Sequence, residues 1–397
     1  MASCRAILTS IRVVTKRSVV VVGAGITGVV AAVFLSKSGH RVTLVEKGEI
    51  GGAVSGASLA CITAHMIDLD EIELLRWSCQ TWKDFAQDSP VDFEYDLCGQ
   101  IRFVEREEEL SAAIQYVDSE RECGLDSSIV DSDQISQIEP NLTGDIVAAT
   151  FDPDSATVNP FLAIRAFILQ ARSLGVDIRQ HSPVDEVKVQ NGRVVGVVSK
   201  GEMIRCDCVI LASGPWTAEL TREFDIDLPI LPRKAQCLAT VAVPPKTIRR
   251  VISSCEASSG VEAGYTQIQQ SFRSQVLFNT VLAGGLSESG AQDSISEVDP
   301  DFVVDSIAQL LHLFPCLNGV QLLRSWVRYE AVAPDQRFLL GPLEPDGLFI
   351  AAGDAGTGFL RAPAVGQLLC DMVSESEPFL RHDLYEPYRF TNQPRSE

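Results

Sequence analysis

Four consecutive valines, residues 19–22, open the first strongly patterned stretch, SVVVVGAGITGVVAAVFLSKSGHRVTLVE over residues 18–46. An unbroken apolar run of this length predicts a strand buried on both faces, the pattern of a parallel sheet. Three glycines follow, the apolar run resumes over 26–35 as a helix, and residues 41–45 form a second strand ending on Glu46. Further on, Ile72, Leu75, Trp82 and Phe85, interspersed with acids, predict an amphipathic helix over 68–87. A strand is expected over 98–105, a helix opening on the acids at 107–109 and another over 131–139 ahead of Pro140. A turn-rich connector, 151–160, leads to a helix started by Pro160 and stopped at Gly175. Asn191-Gly192 is a hairpin turn between alternating runs, and 209–214 is a second buried strand ending on small residues. Alternation over 264–280 predicts a strand pair, and a helix over 301–314 is stopped by Pro315. The last patterned block, 348–369, reads strand, glycine-rich turn at 353–358, and helix beginning near Pro363.

The first block carries chemistry as well as fold. Gly23, Gly25 and Gly28 stand in G-x-G-x-x-G spacing between a strand and a helix. The first allows the tight turn, the second lets backbone approach a diphosphate, and the third lets helix and sheet pack closely. The phosphates then sit at the helix N-terminus beside Ile26 and Thr27. Glu46, at the end of the next strand, is placed to accept hydrogen bonds from an adenosine ribose. The loop KGEIGGAVSGASLACI that follows is small enough for a flat ring and its phosphate-bearing tail to lie on backbone. Lys47 and Ala57 are in it, with Ser55 and Ser58 as phosphate donors. His65, on the next turn, is a further candidate for ring or substrate contact or a structural histidine.

Composition narrows the partners. The 397 residues carry a net charge of −20, which argues against a nucleic-acid-binding surface and against an anionic membrane surface. Hydrophobic content of 46% with 22% charged residues is globular, and the length suits a nucleotide domain plus a second of comparable size. Eleven cysteines without C-x-x-C pairs or metal-like clusters suggest reduced thiols, hence a cytoplasmic setting and no metal site. Cys206 and Cys208 read as packing residues. No stretch qualifies as a transmembrane segment, and residues 1–17, basic and free of acids, are read as an N-terminal extension.

Taken in order, the glycine motif, the Asn191-Gly192 hairpin and the strand VILASGPWT resemble FAD-dependent oxidoreductases of the D-amino-acid oxidase, glycine oxidase and sarcosine oxidase group. RSWVRYEAVAPDQRFLLGP and LFIAAGDAGTGFLRAPAVGQLL, at 324–342 and 348–369, resemble that group's closing signatures. The resemblance implies an α/β fold: a Rossmann-like FAD-binding domain and a second α+β substrate domain on a mixed or antiparallel sheet. It divides the chain into 18–70, 155–227 and 325–375 for FAD, 71–154 and 228–324 for substrate, and a tail at 376–397. It also implies dissociable FAD against Val184, Ala212, Gly214 and Trp216, and against Gly353, Asp354, Gly356, Gly358 and Phe359. The free N–H groups of the last helix would face the flavin pyrimidine edge. Cys61 and His65 do not match the spacing of residues that tether flavin covalently in relatives.

The expected reaction is oxidation of the C–N bond of an amino or imino acid, with hydride passing to flavin N5; it needs orientation and a dry site more than acid–base groups. Relatives acting on simple amino acids hold the carboxylate with arginines. Here Glu330 and Gly356 stand at those two places, which leaves Arg328 and Arg361 as substitutes and Glu330 as a receptor for a cationic group. Tyr265 falls where glycine oxidase relatives place a substrate-facing tyrosine. The departure resembles the branch of β subunits of opine, hydroxyproline and proline dehydrogenases and hydrogen cyanide synthase, which brings in a partner subunit accepting electrons. Two alternatives remain: an FAD-binding electron-transfer or structural subunit without turnover, and oxidation of a 2-hydroxy acid on the same fold.

Overall fold

The protein is described from a computed structural model covering residues 16–255, 265–281 and 297–390. Residues 1–15 of the N-terminal extension, Gly264 and residues 391–397 of the tail lie outside the described residues. The strand Ser18–Val22 lies inside a six-stranded sheet, in the order Leu339–Leu343, Leu348–Ala352, Cys208–Leu211, Ser18–Val22, Arg41–Val45, Asp177–Arg179. All pairings are parallel except the one between Leu339–Leu343 and Leu348–Ala352. Helices cover one face: Ile26–Lys37, Pro160–Ser173, Gly358–Val373 and Ile72–Asp88. On the other face a meander of Val184–Gln190, Arg193–Ser199 and Glu202–Arg205 packs Val187, Val194 and Val197 against Val20, Val22 and Leu211. Burial on both sides is why these strands carry uninterrupted Val, Ile and Leu.

The second sheet has eight strands, ordered Leu322–Val332, Leu231–Ala242, Gln275–Val281, Tyr265–Gln270, Val251–Ser254, Gln100–Val104, Ala148–Asp152, Ser128–Val130. It is mixed, since Val251–Ser254 runs parallel to Gln100–Val104 while the other pairs are antiparallel. The helix Pro300–Leu313 covers it over Leu238 and Phe278, started by Asp299 as N-cap with proline at the first position. Among the described residues no helix is long and apolar enough to cross a membrane.

Three placements differ from the sequence reading. The helix Ile72–Asp88, grouped above with the substrate segments, packs with the helices that cover the six-stranded sheet. Residues 325–332, grouped above with the nucleotide-binding segments, belong to the outermost strand of the eight-stranded sheet, where they pair along Leu231–Ala242. The last helix begins at Gly358, not near Pro363, which sits inside it. Proline lacks the N–H that would bond the carbonyl of Phe359, and that carbonyl instead accepts from Trp82 Nε1 at 2.9 Å. A tertiary partner for the orphaned carbonyl lets the helix run through the proline.

Candidate active site

Two adjoining cavities lie between the sheets, and Val54 lines both. The first, about 260 Å³, starts at the N-terminus of Ile26–Lys37. Gly23 has φ +104°, and a Cβ there would lie 2.5 Å from the Ala212 carbonyl oxygen. A Cβ on Gly28 would fall 2.0 Å from the Gly23 oxygen, so this glycine sets the helix-to-turn distance without lining the cavity. The first helical turn carries no acidic side chain, so the positive end of the helix is not neutralised by a carboxylate of its own.

Around that end stand Gly25, Ile26, Thr27, Glu46, Lys47 and Ser55. The Glu46 carboxylate accepts from the N–H of Ala24 and of Gly48, each at 2.8 Å, and so ties the glycine turn to the loop after the second strand. Each oxygen retains a lone pair for a ribose hydroxyl. Lys47 Nζ lies 3.9 Å from the Trp216 ring centroid and closes one wall. Val184, Ala212, Gly214, Gly353 and Asp354 complete the cleft from three distant parts of the chain. The Asp354 carboxyl is pushed up to about 6, first by burial and then by the nearby charge of Glu330.

Two loop residues have duties the sequence did not show. Ser55 lines the cleft, but its hydroxyl also accepts from the Ile26 N–H at 3.0 Å. Ser58, expected at the phosphates, lies in the second cavity instead and accepts from the Ala60 N–H at 2.9 Å. A loop this rich in Gly and Ala turns sharply, and only Gly56 and Ala57 lie between the two serines.

The second cavity, about 580 Å³, is bounded by the glycine-rich turns on one side and the eight-stranded sheet on the other. Ala57, Gly356 and Phe359 line it from the nucleotide side, with the Ala57 carbonyl accepting from Trp326 Nε1 at 2.9 Å. Gly358 sits just behind the lining, where a Cβ would lie 2.1 Å from Asp354 Oδ2. From the sheet come Tyr265, Arg328 and Glu330. Tyr265 donates to Gln267 Oε1 at 2.5 Å, Gln267 donates to Gln269 at 2.9 Å, and Gln269 donates to the Leu59 carbonyl at 2.7 Å. These residues alternate along one strand, so a polar ladder links the tyrosine to the small-residue loop.

The arginines divide into paired and unpaired. Arg361, 3% exposed, is ion-paired with the buried carboxylate of Glu71 and bonded to Thr357 Oγ1, which makes it a brace between helices although it lines the cavity. Glu330 already holds a cation: Arg233 donates to its Oε2 from Nε and Nη2. The sequence reading of Glu330 as a receptor for a cationic group meets this neighbour, which the sequence did not reveal. Arg328 has a single hydrogen-bond partner among the described residues, the Val327 carbonyl at 2.7 Å. Arg102, also missed, is 3% exposed and lines the same cavity, with Nη2 on the His65 carbonyl at 3.1 Å and Nε without a partner. A cation inside the buried strand QIRFV was the available signal.

His65 does not face either cavity. It is fully buried, with Nδ1 2.8 Å from Glu120 and Nε2 2.7 Å from Thr150, and these contacts fix the segment whose carbonyl holds Arg102. Cys61 lines the second cavity, and burial pushes its thiol up, so it stays protonated. Cys206 and Cys208 are buried, the second as the first residue of a strand of the six-stranded sheet. No group of His, Cys, Asp and Glu among the described residues is arranged to hold a metal ion.

A helix N-terminus without an acidic side chain in its first turn, a glycine cradle that side chains would fill, an acid at the ribose place and a second chamber beyond it fit an extended FAD, diphosphate at the helix and ring toward the second cavity. Comparison with known proteins agrees. The family model for FAD dependent oxidoreductases matches residues 18–372, and the chain belongs to that family. It is 25% identical to glycine oxidase of Bacillus subtilis over 90% of this chain and 93% of that protein. It is also 25% identical to the bifunctional protein ThiO/ThiG of a Nostoc species, over 93% of this chain but only 55% of that protein's length. Among solved structures, L-proline dehydrogenase from P. horikoshii superposes with a TM-score of 0.86 at 25% identity, covering 94% of this chain and 98% of that one. The chain is therefore a member of the FAD dependent oxidoreductase family with a mixed α/β architecture.

Proposed function

We propose that the chain oxidises the C–N bond of an amino acid, with a secondary or imino amino acid as the preferred class. The carrying observation is that Arg328, without a carboxylate partner among the described residues, lines a chamber directly beside the nucleotide cleft. A guanidinium there fixes a substrate carboxylate and turns the adjoining carbon toward the ring. Bound FAD supplies the two-electron acceptor for the hydride. Tyr265, held by the glutamine ladder, limits how the substrate tilts, and the amine proton leaves to solvent. Water opens the resulting imine to an amine and a carbonyl compound. No general base is required of the chain, in keeping with a cavity whose three acids, Asp68, Glu330 and Asp335, all sit against arginines.

The relatives support this reading by what their names state: glycine oxidase, L-proline dehydrogenase and 4-methylaminobutanoate oxidase are each named for the oxidation of an amino acid. The domain boundaries given above, with residues 325–332 moved to the substrate domain and the helix Ile72–Asp88 to the FAD domain, dissociable flavin, a cytoplasmic setting and a partner subunit that takes electrons belong to the same proposal. Its direct test is substrate affinity in variants. Arg328→Ala is expected to raise the KM of carboxylate substrates by roughly tenfold or more, the worth of a charge-assisted hydrogen bond. Tyr265→Phe is expected to lower kcat. Unchanged constants in both variants would remove these residues from the site.

A further inference from the structure

The turn that follows the strand Leu348–Ala352 crosses from one chamber to the other: Gly353 and Asp354 line the cofactor cleft, and Ala355, Gly356 and Thr357 line the second cavity. A ring reaching from the cleft toward the second cavity passes this turn. Three charged groups face Asp354: Glu330 from the outermost strand of the eight-stranded sheet, Arg233 from the strand beside it and Arg361 from the last helix. Both arginines are taken, Arg233 by Glu330 and Arg361 by Glu71. Among the described residues the half-buried Asp354 carboxylate therefore has no cation of its own, and its one hydrogen-bond donor is the Gly356 N–H at 3.3 Å. Its Oδ2 lies against Gly358, where the last helix begins, so the positive end of that helix is already faced by an acid. Burial and the like charge of Glu330 hold the carboxyl proton up to about 6.

We infer that Asp354 is the proton acceptor that answers reduction of the flavin: as the ring takes up a hydride and its negative charge, this carboxylate takes one proton from solvent, and it returns the proton when the ring is reoxidised. The hydride carries both electrons to the ring and the proton carries none, so each cycle moves one extra proton onto and off the protein. The cause is like-charge repulsion across a cleft of low dielectric, where a new negative charge raises the proton affinity of the one carboxylate that no arginine neutralises. Glu330 cannot answer in its place, because Arg233 holds it ionised from two nitrogens. With the proton taken up, the charge of the cleft is the same before and after reduction. The inference goes beyond the C–N reading, since it needs FAD in the cleft and holds for any donor of the hydride.

The pH dependence of the flavin midpoint potential tests this, measured on the FAD-loaded chain by reductive titration with dithionite against a reference dye, with no substrate present. In a two-electron couple each proton taken up adds about 30 mV per pH unit to the slope, the potential equivalent of a tenfold change. From about pH 6.5 to 8, above the carboxyl's value beside an oxidised ring, the wild type is expected to be steeper than Asp354→Asn by that amount. Equal slopes in the two proteins would overturn the inference. If Asp354→Asn does not hold FAD, the infrared difference spectrum between reduced and oxidised wild type decides. A protonated-carboxyl band that grows on reduction and shifts in D2O is expected, and its absence would overturn the inference. Failure of the C–N reading shows elsewhere, as absence of flavin reduction by any amine, and leaves these slopes unchanged because dithionite supplies the electrons.

Discussion

Arg233 closes on Glu330 from the neighbouring strand, with Nε at 3.0 Å and Nη2 at 2.7 Å from the same carboxylate oxygen, while Nη2 also donates to the Ala355 carbonyl at 3.0 Å. The pair thus joins the eight-stranded sheet to the glycine-rich turn that bounds the cofactor cleft. Gly356 completes the contact, because at φ +86° a Cβ would sit 2.6 Å from Glu330 Oε1. Glu330→Ala strands the Arg233 charge and is expected to destabilise the protein by about 1–3 kcal/mol. Urea unfolding of the FAD-loaded protein measures it. A variant as stable as wild type would show the pair to be incidental.

The glycine turn makes a sharper prediction. A methyl group on Gly28 would overlap the Gly23 oxygen at 2.0 Å, and both atoms are backbone-fixed, so the turn must open. Gly28→Ala is expected to purify with little or no bound flavin, measured as the ratio of flavin to protein absorbance. Full flavin content would mean that the turn is not where the diphosphate is held.

Asp354 gives a pH signature in the FAD-free chain. Its folded-state carboxyl titrates near 6, above the unfolded value, so the native state holds the proton more tightly. Its contribution to stability is therefore full below about pH 4 and lost as pH rises through about 6. Relative to Asp354→Asn, the wild type is expected to lose on the order of 2 kcal/mol across that window. Parallel melting curves for the two proteins would contradict the assignment.

Trp82 and Pro363 should be energetically coupled. The indole N–H satisfies the carbonyl that the proline leaves free, so Trp82→Phe strands a buried acceptor at about 1–3 kcal/mol beyond the lost packing. In a Pro363→Ala background an intrahelical N–H becomes available, and Trp82→Phe is expected to cost less. A double-mutant cycle by denaturant unfolding reads this coupling; strict additivity would deny it.

How much of this was legible follows from what periodicity can carry. The strand at 19–22, the glycine turn, the acid at 46 and the Asn191-Gly192 hairpin are local, and local pattern fixed them before any contact was known. The family resemblance added the distant cleft residues from Val184 to Asp354, which no spacing rule joins. Pair choices stayed hidden. Nothing near Glu330 in sequence indicates Arg233, 97 positions away, and nothing near Pro363 indicates Trp82. Arg102 was visible as a cation in an apolar strand, yet its bond to the His65 carbonyl and its unpartnered Nε are properties of three-dimensional packing.

The most direct measurement mixes the FAD-loaded chain, under anaerobic conditions, with secondary amino acids and with the matching 2-hydroxy acids, while flavin absorbance is followed. Bleaching by amines and not by their hydroxy counterparts is the predicted result. Bleaching by hydroxy acids alone, or by neither set, would contradict C–N oxidation as the function of this protein.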